Sequence, residues 1–503
     1  LSDSDEIGSV ATQLLAALQP PGEEGGVALL YSTGEDYETF CQSTPMIIDN
    51  LPTISIPASL LSNPAVARTV SRFRGPGLVH VSPSVTITLP FRNVRAVISS
   101  SSRFVPVFDH KSGLYGQRLV SLNSRVLSIQ QGHTKASVLE GHHPILAVMG
   151  CKRSLEESDE PAPVAYENEL LLIALLAFRK WPHLALHEMP LVHPDAGNMT
   201  KWIEATRRLR SMGMLGRNPD VDAPKKLTGM GCGAVGWLTH VRNWRVACFL
   251  GHIKQGMSVL LKRTFVRLAA IIDFEVPIHV PRMSRGIMRD VLNKVACGPA
   301  ASMVDYGQLW VALSLWERYQ QDEEDAVDLS KEHGLSEEEG FTMGQVTLYN
   351  ARQIRDLVLR LERVLELPPA TREEMDEALS DAELLWTQLA LASSWVTNLI
   401  WIPKGWSQTQ PGAPPARCAA HCDEIRINEA GEVILFEGLL DQGGLHAIAL
   451  DVIEYPIDTL EAENVVIIDS RALERIRERM ATDNPYDAVV SRYAHRARRI
   501  RDK

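Results

Sequence analysis

The spacing of apolar residues changes along this chain. Residues 4–18 carry Ile7, Val10, Leu14, Leu15 and Leu18 at helical intervals, which predicts a short amphipathic helix before Pro20 and Pro21. Gly26–Ser32, Leu78–Phe91, Val97–Phe108 and Leu119–Ile129 then run in Val, Ile, Thr and aromatic residues with partial alternation, broken by Gly, Pro and Ser. Branched and aromatic side chains suit a pleated, half-buried surface, so these runs are predicted strands.

After an acidic, proline-containing joint at Glu156–Pro163 the pattern turns helical. Tyr166–Trp181 is apolar almost all round, the mark of a helix buried in a core, and Pro182 ends it. Met199–Met212 follows, then a face of Val241, Trp244, Val246, Phe249, Leu250, Ile253 and Met257 that starts near Trp237, and Val259–Ile272 repeats that arrangement. Further helices are predicted near Met283 and over Tyr306–Tyr319, Ala351–Leu365 and Glu373–Ile402. The last of these is broken at Ser380-Asp-Ala-Glu383, which has the form of a capping box.

Gly405–Ala416 is poor in apolar residues and rich in Pro and Gly, and it reads as a linker. Beyond it Glu424–Ile427 and Val433–Phe436 flank Asn428–Gly431 as a hairpin, Leu445–Ile453 and Val465–Ile468 add strands, and Arg471–Met480 is a helix. The expected fold class is α+β and predominantly helical. Its expected parts are a β-containing N-terminal region over 1–160, a helical core over 161–403, a Pro-rich linker over 404–423, and a small α/β segment with a basic tail over 424–503.

Composition narrows the class. A chain of 503 residues, 45% hydrophobic and 22% charged, is globular and too long for one ordinary core. Its longest apolar run, Leu170–Phe178, falls well short of the roughly 20 residues a spanning helix needs, and Leu1–Glu6 lacks the basic start of a signal peptide. A soluble, intracellular protein without a membrane partner is the expectation. Seven scattered cysteines read as reduced thiols. Cys418-Ala-Ala-His421-Cys422 offers three ligands at most, so neither metal nor cofactor is expected. His133, His142 and His143 sit in a Gly-rich setting and read as exposed turn histidines.

Charge changes the picture more. The chain carries a formal net charge of -11, yet residues 201–300 hold 17 Lys and Arg against 6 Asp and Glu, a local balance of 17 - 6 = +11. Lys225–Ile272 contains no acid at all. Without acids nearby the usual i,i+4 ion pairs are missing, and clustered cations suit a polyanion. Candidate contacts to RNA phosphates are Arg242, Arg245, Lys254, Lys262, Arg263 and Arg267, joined by Arg207, Arg208 and Arg285. Within the same zone Gly231, Gly233 and Gly236 spell G-x-G-x-x-G, but Asp220–Lys226 upstream is no hydrophobic strand and the first acid downstream is Asp273. A turn feeding a helix is the better reading than a dinucleotide fingerprint. Walker-type, G-x-S-x-G, H-E-x-x-H and kinase signatures are absent from the sequence.

Gly251-His-Ile-Lys-Gln-Gly-Met-Ser258 resembles a stretch in the central region of rhabdovirus nucleoproteins, and Tyr306-Gly-Gln-Leu-Trp-Val-Ala-Leu313 is similar to a helix that follows it there. The resemblance implies two mainly helical lobes that clamp RNA through Lys and Arg, with arms reaching neighbouring copies. That family's Ser-Pro-Tyr-Ser motif is missing here. In general build the chain also resembles shell proteins of double-stranded RNA viruses. The expectation is therefore a non-enzymatic viral coat or nucleocapsid protein of the virion and host cytoplasm, self-assembling around RNA without base specificity. The alternatives are an icosahedral shell with little RNA contact, and a nucleotide-dependent enzyme with its cleft near Gly229–Gly236.

Overall fold

The structure, a computed structural model, describes residues 13–19, 25–32, 40–41, 44, 51–56, 76–81, 93–108, 115–121, 124–135, 138, 143–149, 170–191, 196–216, 224–276, 292–293, 296–321, 343–371, 377–407, 412–418, 423–428, 444–455 and 459–480. The helix predicted near Met283, the strand over Val433–Phe436, the acidic run 322–339 and the basic tail lie outside them. The chain is mixed α/β. It divides into two compact units, Leu1–Pro106 with Gln117–Val164, and Val107–Gly116 with Ala165–Lys503.

The first unit is built on parallel strands β1 (Val27–Tyr31), β2 (Thr53–Ile56), β3 (Gly77–Val81) and β4 (Val94–Ser100), with β5 (Ser102–Phe108) and β6 (Tyr115–Ser121) leading away before β7 (Ile145–Met149) returns. Their order is β2-β3-β1-β4-β7. Every residue of β1 and β4 is buried, as expected of parallel strands covered on both faces. On one face Ala28, Leu30, Leu78, Ala96 and Ile98 share a core with Leu14, Leu18, Phe40 and Leu51. The predicted strand Leu119–Ile129 instead ends at Ser121 and gives way to helix α1 (Ser124–Gln131) and a 3-10 turn at Gly132–Thr134, both packed on β4. A parallel pair such as β4 and β7 needs a crossover, and Val126 beside buried Leu127 breaks the alternation a strand would need.

The second unit holds helices α2 (Leu170–Lys180), α3 (Ala196–Ser211), α4 (Gly229–Trp237), α5 (Trp244–Leu250), α6 (Val259–Asp273), α7 (Gln308–Gln321), α8 (Met343–Val364), α9 (Asp381–Ser394) and α10 (Ser470–Met480). The capping box at the start of α9 forms as the sequence predicts, with Glu383 N–H donating to Ser380 Oγ and Ser380 N–H donating to Glu383 Oε2. The helix does not reach Ile402. It stops at Trp395, whose Nε1 donates to Leu450 O at 3.0 Å, and after one 3-10 turn Leu399–Ile402 becomes strand β8.

Strand β8 pairs antiparallel with both β9 (Arg417–Cys418) and β11 (Leu445–Tyr455). Strand β11 forms a long hairpin with β12 (Thr459–Ile468), which β10 (Ile425–Ile427) flanks in parallel. The sheet therefore runs across the Pro-rich stretch rather than starting after it. Trp406 and Ala416, at the two ends of that stretch, share one core with Ile400, Ile402, Ile425 and Ala447. Within the second unit Gly116 approaches β11 closely, because an added Cβ there would collide with Val452 O.

Candidate functional site

The structure accounts for the acid-free stretch first. Helix α6 is amphipathic only at its start, and from Leu261 nearly every residue to Asp273 is buried, including Arg263 and Arg267. Arg267 Nη1 lies 2.7 Å from Glu317 Oε1 and 2.8 Å from Oε2. Arg263 donates to Glu362 Oε1 at 3.2 Å and to Pro368 O at 2.7 Å. The partners missing from the local sequence are thus supplied by α7 and α8. Arg245 is buried and donates to Leu450 O, the carbonyl that also receives Trp395. Asp273, the acid that closes the stretch, accepts the backbone N–H of Arg242 and Asn243 and so holds the entry to α5, while the Arg242 guanidinium lies over the Phe274 ring.

Among the described residues the predicted cations are therefore not brought together on one surface. Arg245, Arg263 and Arg267 lie in the core, and Arg208 is buried beside Glu204 at 2.8 Å. Charged groups set inside a fold need paired, hydrogen-bonded surroundings, and these have them. Arg207 is half exposed, 3.5 Å from the same Glu204. Lys254 is exposed with Nζ 4.2 Å from the centre of the Trp386 ring, and Lys262 Nζ donates to Gln255 O at 3.0 Å. Arg285 lies outside the described residues.

The G-x-G-x-x-G stretch is helix α4 itself, capped by Thr228, whose Oγ1 accepts from Gly231 N–H at 3.1 Å. Its glycines serve packing. A Cβ at Gly231 would collide with Met214 O, and α4 lies close against α5, where a Cβ at Gly251 would stand 2.6 Å from Met230 O. Among the described residues no strand leads into this helix, so the glycines do not form the strand-to-helix phosphate turn of a dinucleotide fingerprint.

A different set of groups meets at the carboxyl edge of the parallel sheet. Strand β1 has β3 on one side and β4 on the other, so the order reverses between β1 and β4. In open α/β sheets ligands bind outside the carboxyl ends of the strands at such a point. Here β1 ends in Tyr31 and Ser32, and β4 ends in Ser99 and Ser100. Tyr31 and Ser99 are register partners and share the face covered by α1 and its 3-10 turn, where His133 stacks on Tyr31 at 6.2 Å between ring centres. Ser32, His80 and Ser100 fall on the opposite face by alternation, and the His80 ring meets Ser32 O through Nε2 at 3.2 Å.

These residues carry unused hydrogen-bonding capacity. Tyr31 and Ser99 are 0% exposed, and the Tyr31 hydroxyl, Ser32 Oγ, Ser99 Oγ, Ser100 Oγ and His133 Nε2 are buried without a hydrogen-bond partner. Most buried polar atoms in proteins are paired, so five such atoms near the carboxyl ends of β1 and β4 make this edge the candidate ligand site. Burial pushes the Tyr31 phenol up and holds His133 below the usual imidazole range. Burial also lowers His80, against the pull of its bond to Ser32 O. The edge therefore offers neutral hydroxyl and imidazole groups near neutral pH. His133 is half-buried rather than an exposed turn histidine, and Cys418, from the weak ligand cluster, is buried in the core of the second unit. Among the described residues no group of three His, Cys, Asp or Glu is placed to hold a metal ion, and no helix is long and apolar enough to cross a membrane.

No protein-family model and no curated protein sequence matches the chain. Solved structures do. A structure described as the Escherichia coli DEAH/RHA helicase HrpB aligns over 94% of this chain and 46% of its own, with a TM-score of 0.51 and 14% identity. Another, described as the E. coli DExH-box NTPase HrpB, covers 95% and 46% with a TM-score of 0.47 and 14% identity. At this identity the likeness is one of fold. The chain spans about half the length of these structures.

That likeness overturns the viral reading. A coat, shell or nucleocapsid protein was expected from the basic centre and two short resemblances, and neither survives. Arg208, Arg245, Arg263 and Arg267 serve the core, and the fold along the chain is similar to that of the structure described as a DEAH/RHA helicase. The expectation of a non-enzymatic, self-assembling structural protein falls for the same reason. The nucleotide-dependent alternative fits the fold better.

Proposed function

We propose that this chain forms part of a helicase-type, nucleotide-dependent enzyme and engages a nucleic-acid strand, RNA being the first candidate. The observation that carries the proposal is the fold likeness to a DEAH/RHA helicase over 94% of the chain. The polar carboxyl edge of the parallel sheet supports it, because a ligand-binding edge is what such a fold would use. The sequence contains no Walker-type loop, so the triphosphate cradle is not assigned to these residues. Phosphate contacts are assigned to cations that reach solvent, Lys254, Lys262 and Arg207. They carry no base information and set affinity and its salt dependence.

The test is anisotropy of a labelled single-stranded RNA titrated with the full chain between 50 and 200 mM salt. Log affinity should fall linearly with log salt, and Lys254→Glu with Lys262→Glu should weaken binding and lower the slope by about two contacts. A thermal-shift series with nucleoside triphosphates should raise Tm. Absence of strand binding at 50 mM salt together with no nucleotide response would overturn the proposal.

A further inference from the structure

The β11–β12 hairpin of the second unit turns a corner part-way along. From β11 one core takes Ala447 and Ala449 and then Val452, and from β12 it takes Ile467 and Val465 and then Ala462 and Leu460. Successive side chains of a strand point to opposite faces, so neither strand can feed one core in this way without a local twist. The twist falls at residues 450–451 of β11 and 463–464 of β12. The register is the same on both sides of it, with Ala449 opposite Val465 and Asp451 opposite Glu463. Asn464 is left-handed there, with φ of 51°, a conformation that asparagine takes more readily than most residues. Backbone groups at the corner make bonds outside the ladder. Val452 N–H donates to Asp451 Oδ1 at 2.9 Å, and Leu450 O accepts from Arg245 Nη1 at 3.2 Å and from Trp395 Nε1 at 3.0 Å. Helix α5 and the end of α9 are thus fixed to one carbonyl.

Asp451 and Glu463 face each other across this corner. Directly opposed residues stand about 5 Å apart at Cβ, and like charges so placed destabilise the pair. Among the described residues no hydrogen bond or ion pair holds the Glu463 carboxyl, and the charged groups around it are acids, Asp451 of β11, Glu461 of β12 and Glu275 just past α6. Cations of the neighbouring elements act elsewhere. Arg242 faces Asp273 and Glu275, Arg360 of α8 faces Asp273, and Arg245 is bonded to Leu450 O. Burial and then the surrounding acids push the Glu463 carboxyl up to about 7.

We propose that this corner is a pH-sensitive hinge, closed while Glu463 is protonated and opened by its ionisation against Asp451, with α5 and the end of α9 released from Leu450 O on opening. Closed, the corner binds this proton more tightly than it does open, where Glu463 meets water and returns toward 4.5. The stability of the closed form is therefore full below about 4.5 and is lost as pH rises through 7. Between pH 5.5 and 7.5 the opening equilibrium should rise about twentyfold.

Hydrogen exchange of the full chain at those two pH values, expressed as protection so that the intrinsic pH dependence drops out, reads the hinge residue by residue. Amides of 450–452 and 463–465 should lose protection about twentyfold and respond little to low urea, since the opening exposes little surface. The Trp395 indole N–H should exchange with them, while Ile400 in β8 should be better protected and urea-sensitive. Glu463→Gln should remove the pH effect. Asp451→Asn, which keeps an oxygen for Val452 N–H but not the facing charge, should shrink it.

Corner amides that exchange only with the rest of the second unit, at equal protection and equal urea dependence, would overturn the hinge. A pH effect of wild-type size in Glu463→Gln would overturn it as well. Opening of the corner with the Trp395 indole still protected would overturn the release of α9.

Discussion

Removing one atom, the hydroxyl of Tyr31, separates a ligand-facing edge from an ordinary piece of core. The phenol is wholly buried, its register partner Ser99 is equally buried, and neither oxygen has a hydrogen-bond partner. Leaving a buried donor or acceptor unsatisfied costs about 1–3 kcal/mol, whereas Phe keeps the ring, its packing and its stack on His133. Tyr31→Phe therefore strands no new group and should stabilise the ligand-free protein by about 1 kcal/mol. For a unit of this size that is a rise in Tm of roughly 2–4 °C. Calorimetry of the full chain reads it, with amide exchange in β1 and β4 confirming that the gain lies in the first unit. Any ligand that raises the wild-type Tm through this edge should raise the variant's less. A loss of 1 kcal/mol or more in Tyr31→Phe would mean that the phenol is held by a fixed partner such as an ordered water, and the argument for a ligand edge would fail.

Breaking the Arg267–Glu317 pair from one side should cost about 3–5 kcal/mol, since Arg267→Met leaves a buried carboxylate alone, and adding Glu317→Leu should recover most of it; a double-mutant cycle in urea measures the coupling. Burial, then Asp451, Glu461 and Glu275, push Glu463 up to about 7, so the folded state holds its proton more tightly than the unfolded chain. Stability should therefore fall as pH rises from about 4.5 through 7, and Glu463→Gln should flatten that fall and add about 1–2 kcal/mol at pH 8 after allowance for solvent screening, read from urea midpoints across the range. Gly231→Ala should destabilise by about 1–3 kcal/mol because its Cβ meets Met214 O, and a neutral result by thermal melting would show that α4 has room to shift.

Period and capping carried much of the fold. Helices α2, α3, α6 and α7 follow the predicted runs to within a few residues, and the capping box at Ser380 forms because its four residues contain both halves of the motif. Strands β1, β10 and β11 were legible for the same local reason. What failed was anything decided by distant chain. Leu399–Ile402 reads as the end of a helix until β11 and β9 are known to lie beside it. Tyr31, Ser32, Ser99 and Ser100 carry no motif, and their meaning comes from a strand order that places the end of β1 next to the end of β4.

In the basic centre, local charge balance and burial point in different directions. The absence of acids from Lys225 to Ile272 suggests a surplus of charge waiting for a polyanion, but α6 cannot serve that purpose throughout. Arg263 and Arg267 are set among Leu261, Phe265, Val266, Leu268 and Ala270, so the helix is apolar on nearly every side beyond its first turn. A helix of that kind has no broad solvent face to offer a strand, and cations within it must find acids in the fold or not be charged at all. Glu317 and Glu362 are those acids, placed on α7 and α8. Local charge balance measures ion pairing only where partners are local. Where the apolar pattern already buries the helix, the same imbalance points to long-range pairs that fix how the helices dock, and only the cations outside that pattern, such as Lys254 on Trp386, remain available to a ligand.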